Sequence, residues 1–407
     1  MKRKKIKYLR NNPAAGIVYD WHEIRQGLKA LGIPATYYNP STAPLEKAQW
    51  FVELSERATG KTTGWLLTGM VMFQLYGTVT MYVRQSRDMV APKNASSLFN
   101  VICDNDYISI ITDGEYNNVY YRSKKWYFCK IDPDTGEIVS KCPDYFCRMV
   151  SLDEATNLKS ACNEPAGDLI LFDEFIGKYT PTNEFVTFVD VCSTILRLRE
   201  TGKIVLLANT IDKYNQYFHD LEIFERIATM DISESCLHTT DKGTNIYIEM
   251  IGAPKVYRTK KAKWVRLFAG FKKPELASIT GEATWAVKCY PHIPDIEEDT
   301  EPPETLFRNI YIYYNNKLIR LDIVSHPELG LCIYTHWATE THSDSIILTN
   351  EPRFDPRYQY GIPNDTTAGK FILNMLLHNR VYYSANDVGA FLESYMYACG
   401  ISTRYIY

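Results

Sequence analysis

Apolar positions along the chain fall into two kinds of pattern. Val18, Trp21, Ile24, Leu28 and Leu31 recur three or four residues apart and stop at Gly32, which predicts an amphipathic helix over 18–32. Phe51-Val52-Glu53-Leu54, Leu169-Ile170-Leu171-Phe172 and Ile204-Val205-Leu206-Leu207-Ala208 are short, nearly unbroken apolar runs, as in parallel strands buried on both faces. Residues 62–76 read as a helix and 78–83 as a strand, so the first run opens a βαβ unit. Residues 103–165 are rich in Tyr, Lys and Asp and read as hairpins, with Asp132-Pro133-Asp134-Thr135-Gly136 as a turn. A helix over 185–199 completes a doubly wound domain that closes near residue 230. Strands follow at 309–314, 317–325 and 331–337, turned at Asn315-Asn316 and Pro327-Glu328-Leu329-Gly330, then helices at 366–379 and 385–399: a smaller α/β unit. The expected division is an arm and helix (1–36), a first domain (37–230), a linker region (231–304) and a second domain (305–407).

Composition changes this picture little. A chain of 407 residues suits two compact units, and 45% hydrophobic with 23% charged residues is ordinary for a globular protein. No run of 18 apolar residues occurs, so neither a membrane span nor a membrane partner is expected. The basic start, Lys2 to Lys7, has no apolar segment behind it and does not read as a secretory signal. The 10 cysteines form no Cys-x-x-Cys pair and read as reduced thiols; Cys129, Cys142, Cys147 and Cys162 have poor spacing for zinc. A net charge of -3 argues against a constitutive nucleic-acid coat. Two basic stretches remain, residues 2–7 and 255–266, the latter with Lys260 and Lys261. Each is either a solvated surface or a contact for nucleic acid or a partner.

The chemistry sits at the ends of the apolar runs. Ser55-Glu56-Arg57-Ala58-Thr59-Gly60-Lys61-Thr62-Thr63 lies between a strand and a helix. Gly60 permits close backbone approach to a phosphate, Lys61 supplies charge and Thr62 a hydroxyl for a metal ion. A surface turn can carry Gly-Lys-Thr by chance; the flanking strand and helix favour the phosphate cradle. Asp173-Glu174 ends the second run. Asp173 can hold a metal ion through water and Glu174 can act as general base on an attacking water, although acidic residues also end strands simply because they are solvated there. Arg197 and Arg199 close the next helix, where they suit either the helix dipole or a developing phosphate charge. Asn209 follows the third run and can sense a terminal phosphate.

Together, Arg57 with Gly60-Lys61-Thr62, Phe172-Asp173-Glu174-Phe175-Ile176, Leu196-Arg197-Leu198-Arg199 and Leu207-Ala208-Asn209 resemble the DNA-packaging ATPases of phi29-like small tailed phages, relatives of the large terminase subunits. Tyr38-Asn39-Pro40 and Tyr82-Val83-Arg84 extend the resemblance. It implies a P-loop (ASCE-type) NTPase with a parallel central sheet and a smaller RNase H-like C-terminal domain. ATP and Mg²⁺ are the implied cofactors. Tyr38, Arg57, Ala58, Thr59, Gly60, Lys61, Thr62 and Thr63 would surround the nucleotide, with Thr62 and Asp173 at the metal. Glu174 would be the general base, Arg197 would act in trans on a neighbouring subunit and Asn209 would couple hydrolysis to motion. Arg87 falls where the family has a basic residue in a loop facing the DNA channel; Arg84 and, from the basic stretch, Lys260 and Lys261 are further candidate DNA contacts.

The implied partners are double-stranded DNA, the portal at the procapsid vertex, other copies of the chain in a ring, expected as a pentamer, and a packaging RNA. The implied location is the host cytoplasm, docked transiently on a procapsid. A nuclease of the RNase H type needs clustered carboxylates for two metals ~3.5–4 Å apart. The strand over 309–314 has none, and Asp322 and Asp387 stand alone, so the second domain reads as a nuclease fold without nuclease activity. A helicase-like or DNA-cutting ATPase and a non-catalytic assembly scaffold are the alternative readings.

Overall fold

The computed structural model describes residues 18–35, 37–55, 59–95, 97–155, 164, 166–176, 184–197, 199–209, 215–252, 290–293, 303–351, 353–362 and 366–401. Its larger sheet has nine strands: β1 (Trp50–Ser55), β2 (Val79–Arg84), β3 (Asn118–Arg122), β4 (Lys125–Ile131), β5 (Ile138–Ser151), β6 (Gly167–Asp173), β7 (Lys203–Asn209), β8 (Ser235–Thr239) and β9 (Asn245–Ile251). Their spatial order is β3-β4-β5-β2-β6-β7-β1-β9-β8. From β5 to β9 every neighbouring pair is parallel; hairpin partners flank this centre on both sides. The three apolar runs become β1, β6 and β7, and β6 is buried along its whole length.

Helix α1 (Trp21–Ala30) begins at Asp20, whose carboxylate accepts the amides of His22 and Glu23. Val18 precedes that cap and is exposed, so the helix is shorter than its apolar spacing predicts. Helix α2 (Lys61–Tyr76) is buried on nearly all sides, which its continuous apolar composition requires. Ile24 and Leu28 share one core with Trp65, Leu66 and Phe73 on one face of the sheet. Helix α3 (Glu184–Leu196) belongs to the core on the opposite face, where Phe188 packs on Phe172.

The predicted hairpins over 103–165 are realised as β3, β4 and β5, after two short helices at Asn100–Asp104 and Tyr107–Ile111. The first sheet does not close near residue 230. Strands β8 and β9 complete it, with β9 beside β1 and Ile246, Ile248 and Met250 in its core. Ile246-Tyr247-Ile248-Glu249-Met250-Ile251 is an apolar run broken only by Glu249, as Phe51-Val52-Glu53-Leu54 is by Glu53, so β9 carries the same buried-strand signal as β1 and the expected boundary passes over it.

The second sheet contains β10 (Glu304–Tyr314), β11 (Lys317–His326), β12 (Gly330–Ala338), β13 (Ile346–Thr349), β14 (Tyr358–Tyr360) and β15 (Val381–Tyr383), in the order β14-β13-β10-β11-β12-β15. Only β11 runs against its neighbours. Asn315 and Asn316, both at positive φ, make the tight β10–β11 turn, as expected for that pair. Helices α4 (Thr367–Leu377) and α5 (Asn386–Ala398) cover this sheet. Among the described residues no helix is long and apolar enough to cross a membrane.

Candidate active site

Sheet register assembles the site. Ser55 ends β1 opposite Asn209 of β7, and Asp173 ends β6 opposite Leu207. Arg84 follows Val83, which is opposite Phe172, so it ends β2 beside Asp173. The carboxyl ends of four consecutive strands, β2-β6-β7-β1, thus carry Arg84, Asp173, Asn209 and Ser55, at the edge where open parallel sheets bind ligands. One strand, β7, separates the strand before the Gly-Lys-Thr loop from the strand bearing Asp173. Helix α2 starts from Gly60 at φ 89 with no side-chain cap. Its positive end faces the same edge, and a Cβ at Gly60 would come within 3.0 Å of Tyr37.

Lys61 donates to Ser55 Oγ at 3.0 Å and to Asn209 Oδ1 at 2.9 Å. Ser55 Oγ is also 2.9 Å from Thr59 Oγ1. Ser55 therefore ties both ends of the loop together. Thr62 donates to Asp173 Oδ1 at 3.1 Å and Tyr82 to Asp173 Oδ2 at 2.6 Å. Burial and the adjacent Asp173 charge hold the Tyr82 phenol well above its ordinary range, so it remains a donor. Arg84 spans both carboxylates: Nη2 donates to Glu174 Oε2 at 2.6 Å and Nη1 to Asp173 Oδ2 at 3.3 Å. Burial pulls the Arg84 guanidinium down, but Tyr82, Asp173 and Glu174 outweigh it and leave the group above its ordinary value. Glu174 itself lies at φ 56, a conformation uncommon for a residue with a side chain, just beyond the strand.

The structure therefore brings together Thr59, Gly60, Lys61, Thr62, Asp173, Glu174 and Asn209, and Thr63 stands in the same first helical turn. Arg57, Ala58, Lys260 and Lys261 lie outside the described residues. Tyr38 differs from expectation. Its amide donates to Thr59 O at 2.8 Å, but its hydroxyl is buried 2.6 Å from Glu53 and 3.0 Å from Glu249, turned into the sheet. Its partners come from β1 and from β9, a strand that lies beyond the expected end of the first domain. Arg84, expected at DNA, turns onto the carboxylates because β2 ends beside β6.

Arg87 is exposed, with its side chain 3.1 Å from Glu154. Arg197 is exposed at φ 53 just past the end of α3, whereas Arg199 is buried and pairs with Asp168 at 2.7 Å. Tyr82 and Ser55 are site residues whose roles the sequence pattern does not announce, because a tyrosine or serine near a strand end has many ordinary uses. In the second sheet Asp322 pairs with Arg320 at 2.9 Å and His336 at 3.0 Å. Asp387 accepts the Trp337 indole N–H at 3.1 Å.

No protein-family model and no curated protein matches the chain. Solved structures do. The fold is similar to the Phi-28 DNA packaging motor, with 15% identity over 90% of this chain and 98% of that one, at a TM-score of 0.52. It is equally similar to a chain of the bacteriophage Phi-29 viral genome packaging motor assembly, with 17% identity over 90% of this chain and 100% of that one, also at 0.52. The N-terminal domain of the phi29 DNA packaging ATPase matches 54% of this chain and 98% of its own at 20% identity and a TM-score of 0.40. The chain thus has the mixed α/β fold, with a large parallel-rich sheet, of phage packaging motor proteins.

Proposed function

We propose that this chain is a Mg²⁺-dependent ATPase whose hydrolysis drives double-stranded DNA into a viral procapsid. The observation that carries this reading is the meeting of two loops: Thr62 of the Gly-Lys-Thr turn lies 3.1 Å from Asp173, with Lys61 beside Ser55 and Asn209. One strand between the two motif-bearing strands is the arrangement of the ASCE division of P-loop NTPases. The packaging role draws on the likeness to the two motor structures along nearly their whole length.

In this reading Lys61 and the first-turn amides of α2 bind the β- and γ-phosphates. The Thr62 hydroxyl and Asp173 carboxylate are hard oxygen donors that suit Mg²⁺, which takes one or two protein ligands and fills its shell with phosphate and water. The ion, when bound, neutralises charge that develops on the phosphates. Tyr82 holds the second oxygen of Asp173 and so orients the first toward Thr62. Glu174 accepts the proton of the attacking water. Asn209, bonded to Lys61, responds to loss of the γ-phosphate and transmits it along β7. Arg197, exposed beyond α3, completes the site of a neighbouring copy in a ring. The second sheet, with β12-β11-β10-β13-β14 in order and only β11 reversed, is read as RNase H-like. Engagement of Asp322 by Arg320 and His336 supports a domain that does not cut DNA and serves nucleic acid or the portal as a platform.

Glu174→Gln tests the mechanism. The variant is expected to bind ATP and lose turnover by ~10²-fold or more, the usual scale of general-base loss. Arg197→Ala is expected to lose hydrolysis and regain part of it when mixed with Glu174→Gln subunits. Unchanged turnover in the first variant contradicts the reading.

A further inference from the structure

The outer strands β3, β4 and β5 carry chemistry that the nucleotide site does not use. Val119 and Phe128 pack in the core, so Tyr120 and Tyr127, their neighbours along the two strands, stand on the opposite face. Tyr120 is paired with Tyr127, and Tyr127 with Tyr145, which makes a rung of three tyrosines across three strands. Tyr120 and Tyr127 are stacked with ring centres 4.9 Å apart, and Tyr145 meets Tyr127 edge-on at 5.9 Å. All three are half-buried, and no helix closes over them completely. Lys141 lies 5.1 Å over the Tyr120 ring and Lys125 4.0 Å over the Tyr145 ring. Arg122 is exposed and is paired with Lys125 across β3 and β4. None of these three cations makes an ion pair with another described residue.

We propose that this face binds a nucleic-acid strand with unpaired bases, its bases on the tyrosine rung and its phosphates on Arg122, Lys125 and Lys141. Charge complementarity supplies the first half of the argument. Glu164, at the inner end of the rung, is engaged by the Tyr145 hydroxyl at 2.5 Å and by Arg148 at 3.6 Å, whereas the three outer cations keep their charge for a partner. Relative strength supplies the second half. A base stacks on an aromatic ring more strongly than an exposed ammonium rests on it. A base therefore displaces Lys141 from Tyr120, or Lys125 from Tyr145, and each ammonium so released is left beside the phosphate that follows the base. The rung also sets the choice of partner. A duplex keeps its base planes inside its own stack and can offer this face only its backbone, while an unpaired strand offers both bases and phosphates. An acidic protein segment suits the cations but makes no use of three aligned rings.

The test uses the full chain, its Tyr120→Ala/Tyr127→Ala form and its Lys125→Ala/Lys141→Ala form. Short fluorescent DNA and RNA strands free of self-pairing, and a duplex of the same length, are titrated by anisotropy over a series of salt concentrations. The tyrosine form is expected to bind the unpaired strands roughly 10-fold more weakly, with the salt dependence of wild type and with duplex binding unchanged. The lysine form is expected to bind them more weakly with a shallower salt dependence, since fewer counterions are released. Tyr120→Phe/Tyr127→Phe keeps the rings and is expected to bind as wild type. A wild-type chain that binds no unpaired strand overturns the proposal, as does a tyrosine form that binds strands as wild type or loses strand and duplex equally. Capture of polyglutamate but of neither strand, lost in the lysine form, assigns the face to an acidic protein and also overturns it. If the tyrosine form fails to fold, photo-crosslinking of a thiouridine-substituted RNA strand to the wild-type chain decides: crosslinks at Tyr120 or Tyr127 support the proposal, and crosslinks confined to other positions overturn it.

Discussion

Glu53 and Glu249 stand directly opposite one another on parallel strands β1 and β9, two carboxyl groups for one Tyr38 phenol proton. Tyr247 also donates to Glu249, at 3.2 Å. Burial, and then the charge of Glu249, holds Glu53 well above the usual carboxylate range. A protonated Glu53 can donate through Oε1 to the Tyr38 oxygen while Tyr38 donates to Glu249, so the one phenol serves both carboxyl groups. Since the folded-state value is raised, the stabilising contribution of Glu53 is complete below its unfolded value of about 4.3 and is lost as pH rises through the folded value. Glu53→Gln, neutral at every pH, is expected to gain thermal stability relative to wild type as pH increases from about 5 to 8. A difference in Tm that is constant with pH contradicts the assignment. The meeting of Gly60-Lys61-Thr62 with Asp173 was legible because each follows an apolar run of the parallel-strand type, and such strands present their carboxyl ends at one edge. The directions of Tyr38 and Arg84 were not, since each depends on which strand lies alongside.

At the scale of elements, the loop holds its place through the start of α2. A Cβ at Gly64 would lie 2.8 Å from the Pro40 ring and 3.0 Å from Tyr38 O. This close approach lets the 38–40 segment brace the loop, with the Tyr38 amide on Thr59 O. Gly64→Ala should therefore cost stability by ~1–3 kcal/mol from overpacking, although alanine favours a helix by roughly 1 kcal/mol. Denaturant unfolding checks it, and a more stable variant would contradict the brace. The βαβ unit was readable because β1, β6 and β7 are apolar along most of their length and α2 is apolar on nearly all faces. The pair β8–β9 was not: β8 is an edge strand exposed at alternate residues, and β9, although mostly apolar, has no motif beside it that ties it to the first sheet.

Over the whole molecule, the two sheets meet where His219 approaches Tyr314 and Lys317 lies over the Phe224 ring, in a core continuous between them. The carboxyl edge of β7 thus has a packed path toward the second sheet, which the proposed coupling of hydrolysis to displacement would use. The strand order of both sheets was beyond sequence reading, because order is decided by which faces bury one another. The central claim is that this chain couples ATP hydrolysis to double-stranded DNA, and the most direct measurement is its Mg²⁺-dependent ATPase rate with and without duplex DNA. Stimulation by duplexes of unrelated sequence is expected, weakening as salt rises and absent in Glu174→Gln, with the DNA recovered uncut. An ATPase rate indifferent to DNA, or DNA recovered cleaved, would contradict it.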